Sequence, residues 1–583
     1  MRTAALQQWS HHNRTSILRW NRGVVLVAAG LIALGLILGA LGLARPIGQD
    51  ETFNLMAARL LVSSRPIVDD GSGGTALLYQ PPLYPWLLSR AQAWLGPQIW
   101  AMRVVGWLGF ALTGLLLFVL VRRLGPGTRD GDVAALLALA LYVMSPMGLQ
   151  GIAVTDIDPA VLPAWTVLWI LLLLWYAEGQ CAPRLTALAA ATASGFALKL
   201  STPSVVVAVS LLVLAMTPRH RHVAVKAAGA AAAGAAFFAG SYTLWGAGRG
   251  LAVANLLAYL GGRVVLVATE APSILIALPK TSAELALWMS PFMLLLAMGA
   301  VSWGLGRADW RLRLIATLGG VLLAGYLVVG GTTFGYPKYH APALPILCAL
   351  VGLWAAPGLR GPDRDVLKTG FILGILVLMW NLLVVGDLLF VLRYKYRWAA
   401  AMGDPTASNI LRHAAWRGVG LLLPALPVTA VLARRLGGWG PRLRVALLVT
   451  IMGSLPATDI IQAAASFGPS HYGEVGAEAT AKFLRARLDP AARVIATREI
   501  LFLLGKLENP SRWPLSSATW NDPERFGREL TDPRLGAVVY GIAANTIQQY
   551  RRVFRDPDVL EILRARFQQE RIGGYTVWWR SGP

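Results

Sequence analysis

Two carboxylates, Asp50 and Glu51, follow closely on the first long apolar run of the chain, at residues 23–44. An apolar-periodic segment, FNLMAARLL, comes directly after them. This pattern predicts a helix that begins at the carboxylates, where free backbone amides favour negative charge. A positioned carboxylate can take the proton of an attacking hydroxyl, so Asp50 is a candidate general base. Glu51 could hold Asp50 in place or bind an acceptor or an ion.

Four further segments combine polar and aromatic residues beside apolar runs. They are YQPPLYPW at 79–86, TDIDPAVL at 155–162, ALKLSTPS at 197–204 and YPKYHAP at 336–342. Ionisable groups at membrane depth cost several kcal/mol and therefore mark candidate functional sites. The ionisable residues of these segments include Asp156, Asp158, Lys199 and Lys338, which are therefore candidates for a functional role.

The composition excludes an ordinary soluble enzyme, a disordered chain and a fibrous protein. Of the 583 residues 56% are hydrophobic and 14% charged, against about 25% charged in soluble domains. Lys+Arg 53 against Asp+Glu 30 gives a net charge of +23. In a chain this apolar, basic loops beside an anionic membrane are favoured over nucleic-acid binding. Two cysteines, Cys181 and Cys348, provide no disulfide framework.

The apolar runs predict a polytopic α-helical membrane protein with about thirteen transmembrane helices. The predicted spans are 23–44, 99–121, 133–154, 159–177, 185–198, 201–216, 227–246, 286–306, 312–330, 341–357, 369–392, 416–433 and 445–465. Dense basic clusters in alternate short loops, such as Arg122 and Arg123, place those loops and the N-terminus in the cytoplasm. Asp50, Lys199 and Lys338 then fall on the outer face.

Two regions differ in character. Residues 1–465 are predicted to form the transmembrane domain, with a first extracytoplasmic loop at about 45–98. Residues 466–583 are more charged and alternate helix-like and strand-like segments, punctuated by Asp-Pro turns. These segments are 478–488, 492–497, 535–541, 545–554, 558–567 and 575–579. An odd number of spans places this region outside, so we expect a small extracytoplasmic C-terminal α/β domain.

In combination these motifs resemble the GT-C glycosyltransferases. The resemblance is narrower to the branch that contains the protein O-mannosyltransferases and the bacterial aminoarabinose transferase acting on lipid A, and it extends over most of the chain. It rests on Asp-Glu after the first span and Pro-Pro-Leu-aromatic before the second. It implies a multi-pass enzyme of the bacterial cytoplasmic membrane with a periplasmic C-terminal domain. Such an enzyme would move a sugar from a polyprenyl-phosphate donor to a lipid, glycan or protein acceptor at the outer face, with inversion.

The resemblance also assigns roles to individual residues. The implied roles are catalysis for Asp50, Glu51 and Asp158, donor phosphate binding for Lys199, Lys338 and Arg103, and substrate binding for Asp156, Tyr79, Gln80, Tyr84, Tyr339 and His340. Asp158 matches the second acidic motif better than Asp156 because Pro159 follows it. Gln80 departs from the pattern, since the family often has a lysine before the two prolines.

A bound metal and two other functions are alternatives within or beside this interpretation. Asp50, Glu51 and Asp158 could hold a hard divalent cation through oxygen ligands, but the mannosyltransferase resemblance implies none in catalysis. An O-antigen ligase or polymerase would need a large arginine-rich outer loop, of which 393–415 is a short version. A transporter or flippase would need inverted repeats and helices broken in mid-bilayer, and the sequence has no such halves.

Overall fold

The computed structural model describes most of the 583-residue chain. The described residues are 21–44, 47, 49–63, 81–96, 98–125, 128–248, 252–254, 256–257, 285, 288–329, 338–359, 363–391, 425–436, 438, 440–466, 476–496, 498–505, 522–541, 553–554 and 556–580.

The described residues up to 466 are mostly helical. The helices are α1 (Arg22–Ala40), α2 (Gln49–Ser63), α3 (Leu83–Leu95), α4 (Ile99–Leu124), α5 (Thr128–Val143), α6 (Pro146–Ala153), α7 (Ile157–Ala160), α8 (Leu162–Glu178), α9 (Ala182–Leu198), α10 (Ser201–Ala215), α11 (Arg221–Ala247), α12 (Pro291–Leu305), α13 (Trp310–Val329), α14 (Leu344–Ala355), α15 (Arg364–Val391), α16 (425–435) and α17 (Pro441–Ser466). Helix α2 begins where the sequence predicts it, at the Asp-Glu pair.

Helices suited to a membrane recur along this region. Among the described residues, four are long and apolar enough to cross a bilayer: Arg22–Ala40, Ile99–Leu124, Pro218–Ala247 and Trp310–Leu327. Shorter apolar helices cover Leu162–Glu178, Ser201–Ala215, Pro291–Leu305 and Leu344–Leu359. The protein is therefore a helical membrane protein, and the number of about thirteen spans stays a prediction.

One predicted span, 133–154, is wrong as a single helix. The structure ends α5 at Val143 and begins α6 at Pro146, with Ser145 between them in an extended conformation (ψ 124°). Proline has no amide hydrogen and disfavours helical geometry in the residue before it. The break lets the short helix α6 lead directly into the acidic turn before α7.

Helix α14 lies at the centre of the bundle, because every one of its residues, Leu344–Ala355, is buried. It packs against α4, α5, α12 and α13. Its sequence is apolar on all sides, which is the pattern of a helix surrounded by other helices. The segment Lys338–His340 immediately precedes this helix and is thereby held against the core.

The C-terminal region contains a mixed four-stranded sheet. Its elements are α18 (Ala477–Arg487), β1 (Arg493–Ile495), α19 (Arg498–Leu503), α20 (Pro523–Leu530), β2 (Leu535–Gly541), α21 (Pro557–Arg566), β3 (Gln568–Ile572) and β4 (Tyr575–Trp579). The strand order is β1-β2-β4-β3, with β1 parallel to β2 and the other neighbours antiparallel. The helix and strand segments predicted at α18, β1, β2, α21 and β4 are confirmed, whereas the helix predicted at 545–554 lies mostly outside the described residues.

Candidate functional site

An acidic turn connects α6 to α7. Asp156 caps the N-terminus of α7, and its Oδ1 accepts a hydrogen bond from the amide of Asp158 at 3.2 Å. The capping geometry follows from the sequence, since a short side-chain oxygen before a helix satisfies a free amide. Both carboxyl groups are buried. Buried charges need partners, so this turn requires cations from elsewhere in the chain.

Two lysines provide those cations. Lys199, at the end of α9, donates from Nζ to both carboxylate oxygens of Asp158 at 2.6 Å. Lys338, just before α14, donates from Nζ to Oδ2 of Asp156 at 2.6 Å. Residues far apart in the chain thus form two neighbouring ion pairs. The exposed fractions of the Lys199 and Lys338 side chains are 16% and 9%, so solvent screens these pairs little.

One aromatic ring lies close to both ammonium groups. The ring centroid of Tyr339 is 4.9 Å from Nζ of Lys199 and 5.4 Å from Nζ of Lys338. Tyr326 of α13 stacks against Tyr339, with centroids 5.8 Å apart and planes at 19°. The Tyr326 hydroxyl lies 2.6 Å from Oγ1 of Thr202. The π-face stabilises both cations.

Sequence reasoning missed Tyr326 and Thr202 as members of the site. Thr202 lies in the same quoted segment as Lys199, three residues after it. Tyr326 is a polar aromatic residue inside an apolar span, which was the available signal.

A buried arginine–glutamate pair fixes the start of α2. Arg103 of α4 donates from Nε to Oε1 of Glu51 at 3.0 Å and from Nη2 to Oε2 at 2.8 Å. Its Nη1 donates to the carbonyl of Leu43 at 2.7 Å. Oε1 of Glu51 also accepts the amide of Thr155 at 3.0 Å. One carboxylate therefore ties α2 to α4 and to the acidic turn.

The structure brings most of the predicted site residues together. Glu51, Arg103, Asp156, Asp158, Lys199, Lys338 and Tyr339 form one connected cluster, and Tyr84 and His340 are buried beside it. Asp50 lies in the first turn of α2, one residue before Glu51, but its side chain lies outside the described part of the chain. Tyr79 and Gln80 also lie outside the described residues.

The cluster combines cations with carboxylates in a largely buried place. Lysine ammonium groups can bind a phosphate as point charges, and the apolar helices around them suit a lipid tail. Within the described residues, no three His, Cys, Asp or Glu side chains come together as a potential metal site.

Comparisons with known proteins support the same architecture. The family model described as dolichyl-phosphate-mannose-protein mannosyltransferase matches residues 79–245. The chain is similar to the crystal structure of ArnT from Cupriavidus metallidurans in the apo state, with TM-score 0.58, 13% identity, and coverage of 96% of this chain and 99% of that one. It is also similar to ArnT from the same organism bound to undecaprenyl phosphate, with TM-score 0.56, 15% identity and the same coverage. No curated protein sequence matches the chain.

These matches define the class of fold. ArnT is a GT-C glycosyltransferase, and the chain has its fold over nearly the whole length of both proteins. The resemblance predicted from the sequence motifs is thereby confirmed.

Proposed function

We propose that the protein is an integral membrane glycosyltransferase that moves a sugar from a polyprenyl-phosphate donor to a lipid, glycan or protein acceptor. The reaction takes place at the outer face of the bacterial cytoplasmic membrane. The observation that carries the proposal is the pair of neighbouring ion pairs, Lys199–Asp158 and Lys338–Asp156, with the Tyr339 ring close to both lysines. The similarity to an ArnT structure that holds undecaprenyl phosphate supports a donor of this chemistry.

The two lysines bind the donor phosphate in this proposal. When the bond between the anomeric carbon and the phosphate oxygen breaks, its electron pair stays on the phosphate, and nearby cations stabilise that charge. Asp156 and Asp158 hold the ammonium groups in position before the donor arrives. Three nitrogens of Arg103 already donate to Glu51 and to the carbonyl of Leu43. We therefore assign phosphate binding to the two lysines rather than to Arg103.

Asp50 acts as the general base. The acceptor hydroxyl attacks the anomeric carbon from the side opposite the phosphate, its proton passes to the Asp50 carboxylate, and the configuration inverts. Support comes from the position of Asp50 at the first turn of α2, next to Glu51, which is bound to Arg103 and to the acidic turn. A helix N-terminus anchored in this way keeps the base in a constant position relative to the lysines.

The membrane topology belongs to the same proposal. The N-terminus lies in the cytoplasm, and residues 466–583 form a periplasmic domain. The four-stranded sheet with its helices supports a folded unit in this region. A reporter fused after Pro583 tests the orientation, because a cytoplasmic signal there would contradict the odd number of spans.

The deciding experiment uses the purified full-length protein with a panel of polyprenyl-phosphate sugars and candidate acceptors. We expect Asp50→Asn to lower the transfer rate about 10²- to 10⁴-fold, as loss of a general base does, while undecaprenyl phosphate still binds. Asp309→Asn is the matched control, because Asp309 pairs with Arg311 in the connection between α12 and α13, which is predicted to face the cytoplasm. Full transfer by Asp50→Asn would remove Asp50 as the base. Absence of turnover with every monophosphate donor would contradict the glycosyltransferase proposal and favour a ligase or a transporter.

A further inference from the structure

Three buried polar atoms near the ion pairs have no hydrogen-bond partner among the described residues. They are the Tyr84 hydroxyl, Oγ1 of Thr155 and Nδ1 of His340. The three residues are 0%, 1% and 1% exposed. Folded proteins leave few buried polar atoms unpaired, because each costs about 1–3 kcal/mol. Three such atoms beside one charged cluster indicate a place that a polar ligand completes.

Thr155 gives the clearest case. Its amide donates to Glu51 at 3.0 Å and its carbonyl accepts from Nδ2 of Asn54 at 2.9 Å, so both backbone groups are engaged. Its side-chain hydroxyl takes no part in either bond. The turn therefore does not need a threonine here, since valine has nearly the same shape without the unpaired hydroxyl.

Tyr84 and His340 belong to the same surroundings. The Tyr84 hydroxyl, on α3, is in the electrostatic field of Asp156, Glu51 and Asp158. His340 comes two residues after Lys338, and its ring meets Tyr326 edge-on with centroids 5.6 Å apart. The three unpaired atoms thus come from three separate segments that meet at the two ion pairs.

We propose that Tyr84, Thr155 and His340 bind the hydroxyl groups of the donor's sugar ring. This inference rests on the proposed function. A sugar ring is joined to its phosphate through one oxygen at the anomeric carbon, so a phosphate held by Lys199 and Lys338 brings the ring next to Thr155. Each ring hydroxyl can donate one hydrogen bond and accept up to two, so it can pair with a Tyr or Thr hydroxyl or with an imidazole nitrogen. A bare phosphate accepts only, and a lipid tail offers no hydrogen bond.

The test compares two lipids that differ by the sugar alone. Full-length protein in lipid nanodiscs is titrated with undecaprenyl phosphate and with undecaprenyl phosphates that carry mannose, glucose, galactose or arabinose, and the most tightly bound of these is kept. Tyr84→Phe, Thr155→Val and His340→Phe are each expected to weaken binding of the glycosylated lipid about tenfold. Their affinity for undecaprenyl phosphate should stay within about twofold of wild type, because the phosphate contacts remain.

The matched controls each remove a buried hydroxyl that also lacks a partner among the described residues but lies on another helix. Tyr242→Phe on α11 and Thr429→Val on α16 change helices that carry none of the charged site residues, and they should alter neither affinity. The ligand-free melting temperature of Thr155→Val should equal or exceed that of wild type, since an unpaired buried hydroxyl is removed. A structural role alone would lower it.

Three outcomes separate the inference from the proposed function. The sugar subsite would be overturned if the site variants weakened the binding of both lipids equally, or weakened the binding of neither lipid. It would also be overturned if no glycosylated lipid bound wild type more tightly than undecaprenyl phosphate. Failure of wild type to bind undecaprenyl phosphate at all would instead reject the proposed function, and the subsite with it.

Discussion

At the scale of single residues, the site consists of charges that the fold neutralises in pairs. Glu51, Asp156 and Asp158 each have a basic partner that is distant in the chain: Arg103, Lys338 and Lys199 respectively. A buried pair gains little net free energy over apolar residues, but removal of one partner leaves a costly bare charge. Pairing therefore keeps these charged groups in fixed positions inside an apolar bundle, as the proposed transfer from a lipid-linked donor requires.

Substitution of Glu51 by Gln should lower the free energy of unfolding far more than the same change in an exposed ion pair. It leaves Arg103 buried without its carboxylate, so we expect a loss of about 3–5 kcal/mol in the free energy of unfolding. Glu178→Gln is the control, because Glu178 also pairs with an arginine, Arg123, but is half exposed. That change should cost about 1 kcal/mol or less. Thermal unfolding in detergent measures both, and equal losses would show that burial does not govern these pairs.

The sequence identified which charged residues belong to the cluster, but it did not show which acid pairs with which base. Asp156, Asp158, Lys199 and Lys338 were recognisable because their segments resemble motifs of the GT-C glycosyltransferases. Which acid meets which base depends on the way distant helices pack, and no local spacing encodes that. Thr155 carried no signal at all, because one threonine in a turn is common.

At the scale of elements, hydrophobic patterning predicted most of the long helices but missed several short elements; one proline break and one edge strand show why. The break at Pro146 was missed because the residues on both sides are apolar, which favours one continuous span. Strand β3 was missed because four of its five residues are exposed and polar. It lies at the edge of the sheet and buries only Ile572 partly, so no alternating apolar pattern exists.

A close approach between α4 and α7 positions the acidic turn. A Cβ added at Gly109 would overlap the carbonyl oxygen of Ala160. Gly109→Ala should therefore push away the element that carries Asp158, lowering both the melting temperature and the transfer rate. Gly240→Ala on α11 has open space around the new methyl group and should be neutral or stabilising. If both variants behaved alike, the contact between α4 and α7 would not control the turn.

The four-stranded sheet should lose stability in acid when the Asp532 carboxylate becomes protonated. Burial opposes the ionisation of Asp532, but hydrogen bonds from the Arg534 amide and side chain and from Arg493 outweigh it and lower the pKa from 3.8 to about 2. The folded state then binds the proton less readily than the unfolded state, so the stabilisation is complete above about pH 4 and is lost as the pH falls towards 2. Hydrogen exchange of β2 amides between pH 5 and 2 measures this. Asp532→Asn should flatten the profile, and an unchanged slope would assign the acid sensitivity to other groups.

At the scale of the whole molecule, the C-terminal region touches the helix that begins with the candidate base. Arg59 of α2 donates from Nη1 to the carbonyl of Phe502 at 3.2 Å, and its guanidinium lies 3.8 Å from the Phe502 ring centroid. Phe502 belongs to α19, and buried residues of α19 and α2 share one hydrophobic cluster. Asp50 and Arg59 lie on the same helix, so the contact that Arg59 makes can fix the orientation of the helix end that carries Asp50.

This connection predicts a loss of rate without a loss of donor binding. Arg59→Ala removes the hydrogen bond and the cation–π contact together, which weakens the attachment of α2 to the C-terminal region and leaves only the apolar packing. We expect the transfer rate at saturating donor to fall about tenfold, because a small misplacement of a catalytic group slows the reaction. The affinity for undecaprenyl phosphate should stay near that of wild type, because Lys199 and Lys338 are unchanged. Arg528→Ala is the control, since Arg528 is exposed on α20 and pairs only locally with Glu524 among the described residues. A rate equal to wild type in Arg59→Ala would mean that the C-terminal region does not position α2, and a parallel loss of donor affinity would place its effect on the lysine cluster instead.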